Sequence, residues 1–343
     1  MIGKRAGHEG DMGHPSRRAA LKLVAGAGLA GAGVSRPRPA RAADKVRVLT
    51  YFFAEPSQGG FFQAAATGLY EKAGLDVEIR QGGPQLNGMM LLAGGETDIF
   101  MGSGIAVLNS IERDIPVIAV AAPLQFDLQA IVTRQDIGSI DDLKGRRILV
   151  TAGGRAGYWL WLKRRYGFTE EQVAPYTGNL QPFVQDPTLA LGGIATSEPY
   201  RARQAGLDVK YFLLAKYGYP PYGGPLVAMK SYVTSNRDVV ARFVHATLEG
   251  WKSFWSDPAP ALALIQRTNP QADDGWMAYS IATMKELNVI GGGDAATAGL
   301  GTMTEERWRQ LADFMVQVQL IKPSTDWTSA YTTEFVKAVR ITL

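Results

Sequence analysis

The sequence predicts an α/β fold with two lobes, each a mainly parallel sheet flanked by helices, and with two crossover strands as the hinge. Three observations lead to this prediction. Apolar strand-like runs alternate with helical patterns over residues 46–120, which is typical of parallel strands joined by crossover helices. The order of strand, glycine turn and helix returns at residues 147–166, and the chain beyond Asn236 is patterned as consecutive helices.

The first lobe begins with an apolar strand and a glycine-bearing turn. Its predicted elements are strands at 46–53, 75–80, 98–104 and 116–120, and helices at 59–73, 85–92 and 105–113. Small polar residues and glycines at the carboxyl ends of parallel strands lie where such sheets bind ligands. Residues 51–60 and 102–104 are therefore the first candidates for a site.

The second lobe repeats this pattern from about Gln135. Strand 147–151 opens on a predicted glycine turn at 153–157, and strand 225–229 returns the chain to the first lobe. We assign residues 43–134 and 230–343 to lobe I and residues 135–229 to lobe II. Two lobes joined by two strands form a cleft that suits ligand capture by closure.

The N-terminus has the features of an export signal. Arg17 and Arg18 precede a short apolar run at 23–34, and small residues around Ala42 suit cleavage. Paired arginines before a weakly apolar run are typical of the twin-arginine route. We therefore expect residues 1–42 to be a signal peptide and the mature chain to be periplasmic.

The charge and cysteine content narrow the class further. Residues 1–43 hold eight of the 36 lysines and arginines but only two of the 32 acidic residues, so the remaining chain is slightly acidic. A slightly acidic chain does not attract the phosphate backbone, so the charge gives no support for nucleic-acid binding. The sequence has no cysteine, which excludes disulfides and thiol catalysis. We also expect no metal and no cofactor, because the metal and phosphate-binding motifs are missing.

Several phrases of the chain resemble one protein family. They are GLYEKAGLDV at 68–77, LLAGGETDI at 91–99 and the segment 139–145. Over residues 46–343 the chain is similar to periplasmic substrate-binding proteins of ABC importers, in the group that handles nitrate, sulfonates, taurine, and thiamine-pyrimidine or flavin precursors. Segments 158–162, 196–200 and 217–222 resemble the pyrimidine-precursor branch more than the sulfonate branch.

This resemblance implies a type II periplasmic-binding-protein fold, a monomer without catalysis, and delivery of the ligand to a permease and its ATPase. The expected ligand is a small planar heterocycle, pyrimidine-like or flavin-like. Sulfonate, taurine or nitrate is the alternative within the class. A pyrimidine-precursor synthase, an enzyme of the same branch, is disfavoured, because its cysteine motif is absent and two of the three histidines, His8 and His14, fall in the signal. A third hypothesis is a module that senses a ligand in the periplasm, but the sequence offers no output domain for it.

Candidate site residues in the first lobe follow its two glycine-bearing strand ends. Tyr51 or Phe53 is expected to stack on a flat ligand, beside Glu55 and Gly59. Ser103 and Gly104 precede a helix whose N–H groups suit an anion or a carbonyl oxygen. The structural alternatives are inward packing for Tyr51 and Phe53 and helix capping for Ser103.

The second lobe and its return loop supply the other candidates. Gly154 and Arg155 lie where the first lobe places Ser103, and an arginine fork suits an anionic group. Tyr158 follows on an aromatic helix. Ser197 and Glu198 lie at a strand end, where a carboxylate suits an aminopyrimidine and repels sulfonate. The structural alternatives are a solvated turn residue for Arg155, core burial for Tyr158, and a helix-capping and dipole role for Glu198.

Tyr219 and Tyr222 lie in a proline-stiffened loop, from which they are predicted to close over the ligand. Met89 and Met90 are assigned to core packing.

Overall fold

The computed structural model describes residues 42–83 and 86–343. The predicted signal, residues 1–42, lies outside this range except for Ala42. The strands in chain order are β1 (Asp44–Leu49), β2 (Leu75–Arg80), β3 (Ile99–Met101), β4 (Val117–Ala121), β5 (Gln129–Arg134), β6 (Ile148–Val150), β7 (Val173–Pro175), β8 (Ala190–Ile194), β9 (Val209–Leu213) and β10 (Leu226–Met229).

The helices span both halves of the chain. They are α1 (Gly59–Ala66), α2 (Leu69–Lys72), α3 (Gly88–Ala93), α4 (Gly104–Glu112), α5 (Ala152–Ala156), α6 (Tyr158–Tyr166), α7 (Gln181–Gln185), α8 (Glu198–Gln204), α9 (Lys230–Ser235), α10 (Arg237–Ser256), α11 (Ala259–Thr268), α12 (Asp274–Glu286), α13 (Ala295–Ala298), α14 (Glu305–Gln317) and α15 (Glu334–Val339).

The described strands form two five-stranded sheets with the same topology. The orders are β2-β1-β3-β10-β4 and β7-β6-β8-β5-β9. In each sheet four strands run in one direction, and one, β10 or β5, is antiparallel to both neighbours. The expected two-lobed α/β fold of mainly parallel sheets is confirmed.

The strand pairings move the predicted lobe boundaries at two places. Strand β5 hydrogen-bonds to β8 and β9 of the second sheet, although residues 129–134 were assigned to lobe I. Strand β10 hydrogen-bonds to β3 and β4 of the first sheet, although residues 226–229 were assigned to lobe II. A strand belongs to the sheet whose backbone groups it satisfies. The chain therefore crosses between sheets at residues 122–128 and 214–225.

These two crossovers meet at the base of the cleft. Leu124 and Gly223 form an isolated antiparallel bridge, in which the Gly223 N–H donates to the Leu124 carbonyl at 2.9 Å. A Cβ at Gly223 would lie 2.5 Å from the Phe126 carbonyl oxygen and 2.9 Å from the Leu124 Cβ. Only glycine allows the two backbones to approach this closely.

Arg307 of α14 holds both crossovers at once. Its guanidinium donates to the Gln125 carbonyl at 2.7 Å in the first crossover, and to the Pro220 and Pro221 carbonyls at 3.1 and 3.2 Å in the second. It also lies 3.7 Å above the ring of Tyr222. Burial lowers the pKa of Arg307. The planar guanidinium has five N–H donors and can donate to several carbonyls at once, which a lysine ammonium does less well.

The C-terminal helices complete the first lobe. The 20-residue helix α10 crosses α1, and its buried positions recur at helical spacing. Gly59 packs against Phe254 and Gly60 against Trp251, both on α10. Gly59, predicted at a ligand site, thus serves close helix packing, since any side chain there would collide with the Phe254 ring.

Two local predictions differ from the structure. Residues 153–157, predicted as a glycine turn, lie mostly in helix α5, whose N-terminus is capped by Thr151 accepting from Gly154 N–H at 2.9 Å. The sequence at 139–145 also predicts a short helix capped by Ser139 and ended by Gly145. The structure has a 3-10 turn at Asp141–Leu143 instead, and Asp142 accepts from the Gly138 and Ser139 N–H groups. In both places a side chain, Thr151 or Asp142, accepts hydrogen bonds from nearby backbone N–H groups and fixes the local conformation. The pattern of glycines does not indicate these bonds.

The substitution Arg307→Lys tests the importance of the contact between α14 and the crossovers. We expect the free energy of unfolding to fall by about 3 kcal/mol, because buried carbonyls of the crossovers lose their donors. Urea unfolding followed by tryptophan fluorescence measures this change. Arg309→Lys, on an exposed face of the same helix, is the matched control and should change stability by less than about 0.5 kcal/mol. Equal effects of the two substitutions would contradict the assignment.

Candidate functional site

A cavity of about 580 Å³ lies between the two sheets, at the carboxyl ends of β1 and β3. We call it the large chamber. Its first-lobe wall is largely apolar and includes Tyr51, Met89 and Phe100, and the ring of Phe100 lies against Gly88 and Gly102. Ile194 lines it from the second sheet. Aromatic walls with a few polar groups are typical of sites for flat organic ligands.

A second cavity of about 250 Å³, the small chamber, adjoins the first. Ser103, Ala106, Asp127 and Gln129 line both chambers. The remaining lining of the small chamber comes from Ile105 and Asn109 on α4, from the α5 and α6 region and from the second crossover: Gly153, Gly154, Ala156, Gly157, Tyr158, Tyr219 and Pro221. The two chambers thus form one cleft whose wall includes both lobes.

The carboxylate of Asp127 is the charged group of this cleft. It lies in the first crossover and accepts a hydrogen bond from the Gln129 N–H at 2.8 Å. Burial raises its pKa to about 6. Among the described residues that line either chamber there is no lysine, arginine or histidine. The cleft therefore disfavours anions and leaves Asp127 without a cationic partner.

A second carboxylate, that of Glu55, lies behind the wall of the large chamber. The Tyr51 hydroxyl donates to Glu55 and is 2.7 Å from the Ser57 hydroxyl, which also donates to Glu55. Burial raises the pKa of Glu55, and the charge of Glu198 from the other lobe raises it further. This network fixes the orientation of the Tyr51 ring at the chamber wall.

Glu198 stands behind Ile194 on the second-lobe side. It accepts from the Ile194 N–H at 2.7 Å, and the Arg201 guanidinium lies 3.8 Å away. Burial raises its pKa. Its side chain lies against Gly193 of β8, where a Cβ would meet it at 2.5 Å. Glu198 thus organises the backbone at the end of β8.

The structure brings five of the predicted site residues to the cleft. Tyr51 lines the large chamber, Ser103 lines both, and Gly154, Tyr158 and Tyr219 line the small one. Ser103 also caps α4, accepting from the Ala106 N–H at 3.2 Å. Their contact with a ligand remains a prediction.

The other predicted residues lie outside the chamber linings, each for a visible reason. Phe53 is 40% exposed and packs against Phe52 at the surface. Gly104 lies against Leu311 of α14. Ser197 is the residue before α8, and its side chain makes no capping bond.

Arg155 and Tyr222 are placed by partners elsewhere in the fold. The Arg155 guanidinium pairs with Glu170 at 2.6 Å and is mostly exposed. The Tyr222 hydroxyl donates to Asp294 at 2.5 Å, under the Arg307 guanidinium. Tyr222 therefore belongs to the hinge, and Arg155 to an ion pair on the surface.

Met89 and Met90 are not both core residues. Met89 lines the large chamber, whereas Met90 is 69% exposed. Adjacent helical residues point about 100° apart, so one residue of such a pair faces the cleft while the next faces solvent.

Sequence reasoning missed Asp127, Gln129, Asn109 and Phe100. Asp127 and Gln129 lie in or next to the first crossover, which the sequence did not separate from strand β5. The sequence did offer one signal for Asp127 and Gln129. They are polar residues in or next to a segment that links two lobes, and such segments pass through the base of the cleft. Asn109 lies within α4, where no spacing rule distinguishes the face toward the cleft.

A family model described as NMT1/THI5 like matches residues 55–261. The chain belongs to the NMT1/THI5-like family. The predicted resemblance is confirmed at this level.

Two curated relatives of this NMT1/THI5-like protein are named for ligands. It is 25% identical over 242 residues to the riboflavin-binding protein RibY of Chloroflexus aurantiacus, with 68% of this chain and 69% of that protein covered. It is 22% identical over 258 residues to the formylaminopyrimidine-binding protein of Halalkalibacterium halodurans, with 68% of this chain and 73% of that protein covered.

Solved structures show the same fold. The periplasmic aliphatic sulphonate binding protein SsuA of Escherichia coli matches with a TM-score of 0.64 at 16% identity, covering 83% of this chain and 91% of that one. At this identity the likeness extends to the periplasmic-binding-protein fold and carries nothing about the ligand.

Asp127 makes the stability of this NMT1/THI5-like protein depend on pH. Its folded pKa of about 6 lies above the unfolded value of about 3.9, so between these values the folded state binds more protons. Stability therefore falls as pH rises from about 4 to 6. In Asp127→Asn we expect the free energy of unfolding to exceed the parent value by about 3 kcal/mol at pH 7.5 and to lie within about 0.5 kcal/mol of it near pH 4.

Urea unfolding at a series of pH values checks this expectation. Asp76→Asn, on the exposed edge strand β2, is the matched control and should leave the pH profile unchanged. A D127N profile parallel to that of the parent would contradict the assignment.

The Tyr158 hydroxyl provides a second test. The side chain is 2% exposed and packs over Gly154 and Gly192, and its hydroxyl has no hydrogen-bond partner among the described residues. An unsatisfied buried hydroxyl is destabilising. We expect Tyr158→Phe to raise the free energy of unfolding of the ligand-free protein by about 1 kcal/mol in urea. A loss of stability would show that the hydroxyl has a partner.

Proposed function

We propose that this chain is the periplasmic solute-binding component of an ABC importer. It captures a small planar heterocycle between its two lobes and delivers it to a permease driven by an ATPase. Membership in the NMT1/THI5-like family and the names of the two curated relatives favour this function. Among the described helices, none combines the length and apolarity needed to cross a membrane. We further propose that residues 1–42 are a cleaved export signal.

One observation carries the choice of ligand: the lining of the cleft. Tyr51 and Phe100, at the ends of neighbouring parallel strands β1 and β3, give the large chamber an aromatic wall. Aromatic rings add on the order of 0.5 to 1.5 kcal/mol to a stacked partner beyond area burial. The polar groups beside them, on Asn87, Ser103 and Gln129, suit the ring nitrogens and carbonyls of a heterocycle.

The same lining argues against the anionic alternative. Sulfonate and nitrate need cationic or multiple N–H donors, and taurine carries a sulfonate as well. The described lining has no basic side chain, Arg155 is paired with Glu170, and Asp127 faces the cleft. An anion would therefore be bound next to a negative charge.

The described lining of the cleft contains no histidine. The histidine within the described chain, His245, lies on α10 with its side chain 53% exposed, next to Glu249, and lines neither chamber. We accordingly propose binding without turnover by a monomer whose lobes close on the ligand. Closure follows when the ligand contacts both lobes at once.

A thermal-shift panel tests this function. The purified protein is heated with riboflavin, the formylaminopyrimidine, thiamine, taurine, methanesulfonate or nitrate. We expect a heterocycle to raise the unfolding midpoint, with about 2.7 kcal/mol of stabilisation at 100 times its dissociation constant. Taurine, methanesulfonate and nitrate should leave the midpoint unchanged.

A blocking substitution shows whether the shift comes from the cleft. Ala106→Phe places a ring in both chambers and should abolish the shift, whereas Ala263→Phe on the exposed face of α11 should preserve it. A shift produced only by sulfonates or nitrate would overturn the ligand class. Chemical conversion of the bound heterocycle, detected by chromatography, would overturn the binding role.

A further inference from the structure

The small chamber contains polar groups that the fold does not use. The side-chain amides of Asn109 and Gln129 and the hydroxyl of Tyr219 form no hydrogen bond within the described residues, and Asp127 accepts only the Gln129 N–H. Tyr219 is 4% exposed, and burial together with the charge of Asp127 raises its pKa, so it stays a donor. Buried or half-buried polar groups normally have partners.

We propose that the small chamber is a subsite for an uncharged, hydroxylated side chain of the ligand. This inference rests on the proposed function, because the ring of the same ligand would occupy the large chamber. The ligand class is thus a heterocycle that carries a polyol or sugar-like substituent without phosphate.

The mixture of donors and acceptors favours hydroxyl groups. Asp127 only accepts, Tyr219 donates, and the amides of Asn109 and Gln129 do both. A hydroxyl group is one donor and one acceptor site, so a chain of hydroxyls matches such an alternating surface. A wholly apolar substituent would leave these groups unsatisfied on closure.

The position of Asp127 explains how a long ligand fits. Asp127 and Gln129 line both chambers, as do Ser103 and Ala106 of the α4 N-terminus. A substituent leaving the ring therefore passes these residues before it reaches Asn109, Tyr219 and the α5 region. The small chamber is lined by Gly153 and Gly154 of the second lobe, so a hydroxylated chain adds contacts with this lobe to the one that Ile194 offers a ring in the large chamber.

The charge of the subsite excludes phosphate. A phosphate monoester carries a charge of about −1.5 to −2 near neutral pH, and the described lining of the small chamber has Asp127 and no basic residue. At the start of α4, the Ala106 N–H already donates to the Ser103 hydroxyl. A phosphorylated substituent would lie next to the Asp127 carboxylate, and the described lining has no basic side chain to offset its charge.

The test uses a series of ligands that differ only in the substituent. Lumiflavin, riboflavin and flavin mononucleotide share the isoalloxazine ring and carry a methyl group, a polyol, and a phosphorylated polyol. Uracil, uridine and uridine monophosphate form the parallel pyrimidine series. Isothermal titration calorimetry with the full mature chain gives each dissociation constant.

In the series that binds, we expect the hydroxylated member to bind at least tenfold tighter than the bare ring and at least tenfold tighter than the phosphate. Tyr219→Phe and Asn109→Leu should weaken the hydroxylated member at least fivefold and leave the bare ring within twofold. Tyr217→Phe, an exposed tyrosine on the same crossover whose hydroxyl is outside the chamber, is the matched control. Asp127→Asn should reduce the discrimination against phosphate.

The outcomes separate the two proposals. If rings bind with equal affinity regardless of substituent, the subsite is wrong and the proposed function stands. If thiamine, with its cationic substituent, binds tighter than the hydroxylated members, the subsite recognises a cation and the inference is overturned. If no member of either series binds but the formylaminopyrimidine does, the subsite is wrong and the proposed function stands. If none of these heterocycles binds, the proposed function fails, and the subsite with it.

Discussion

The guanidinium of Arg307 is hydrogen-bonded to both segments that connect the two sheets, and the cleft depends on this contact. The first crossover offers the Gln125 carbonyl and the second the Pro220 and Pro221 carbonyls. Two residues beyond Gln125, Asp127 faces the ligand cavity, and Tyr219 and Pro221 line it from the other crossover. One half-buried side chain thereby sets the spacing between the charged group of the cleft and its opposite wall.

This arrangement explains why the side chain of Tyr222, predicted to close over the ligand, packs in the hinge. Tyr222 supplies the ring under Arg307, and its hydroxyl accepts from the Thr304 N–H at 2.9 Å at the start of α14. The polar tip and the flat face of the side chain are both occupied by the hinge. A ligand cannot use either without dismantling the contact between α14 and the crossovers.

The electrostatics of the cleft come from groups at two depths. Asp127 faces the cavity, while Glu55 and Glu198 stand behind its walls and hold Tyr51 and the end of β8 in place. Burial raises the pKa of all three carboxyl groups. A fold shared with a sulphonate-binding protein is thus combined with a lining that is hostile to anions, because ligand choice depends on the side chains of the cleft and not on the sheet order.

Much of the fold was predictable from local pattern. The buried runs at β1, β3 and β6, and the helical spacing of apolar residues in α10, are properties of neighbouring residues, and they indicate the strands, the helices and the repeated lobe. The motif at 68–77 and the segment at 139–145 indicated the family. The predicted lobe boundaries were less accurate. Strand β5 follows the first sheet in sequence but pairs with the second, and β10 follows the second but pairs with the first. Such pairings join residues that are distant in the chain, so local pattern does not indicate them.

The sequence by itself determined the two-lobed α/β class, the slightly acidic body, the absence of cysteine chemistry, and Tyr51 and Ser103 as residues at strand ends. Tertiary structure alone decided which of the other polar residues face the cleft. Arg155 turns to Glu170, Tyr222 to Asp294, and Gly59 packs on Phe254, while Asp127 and Asn109 line the chambers. The physical reason is that a side chain's direction depends on partners brought together by folding, and no spacing rule within one element records them.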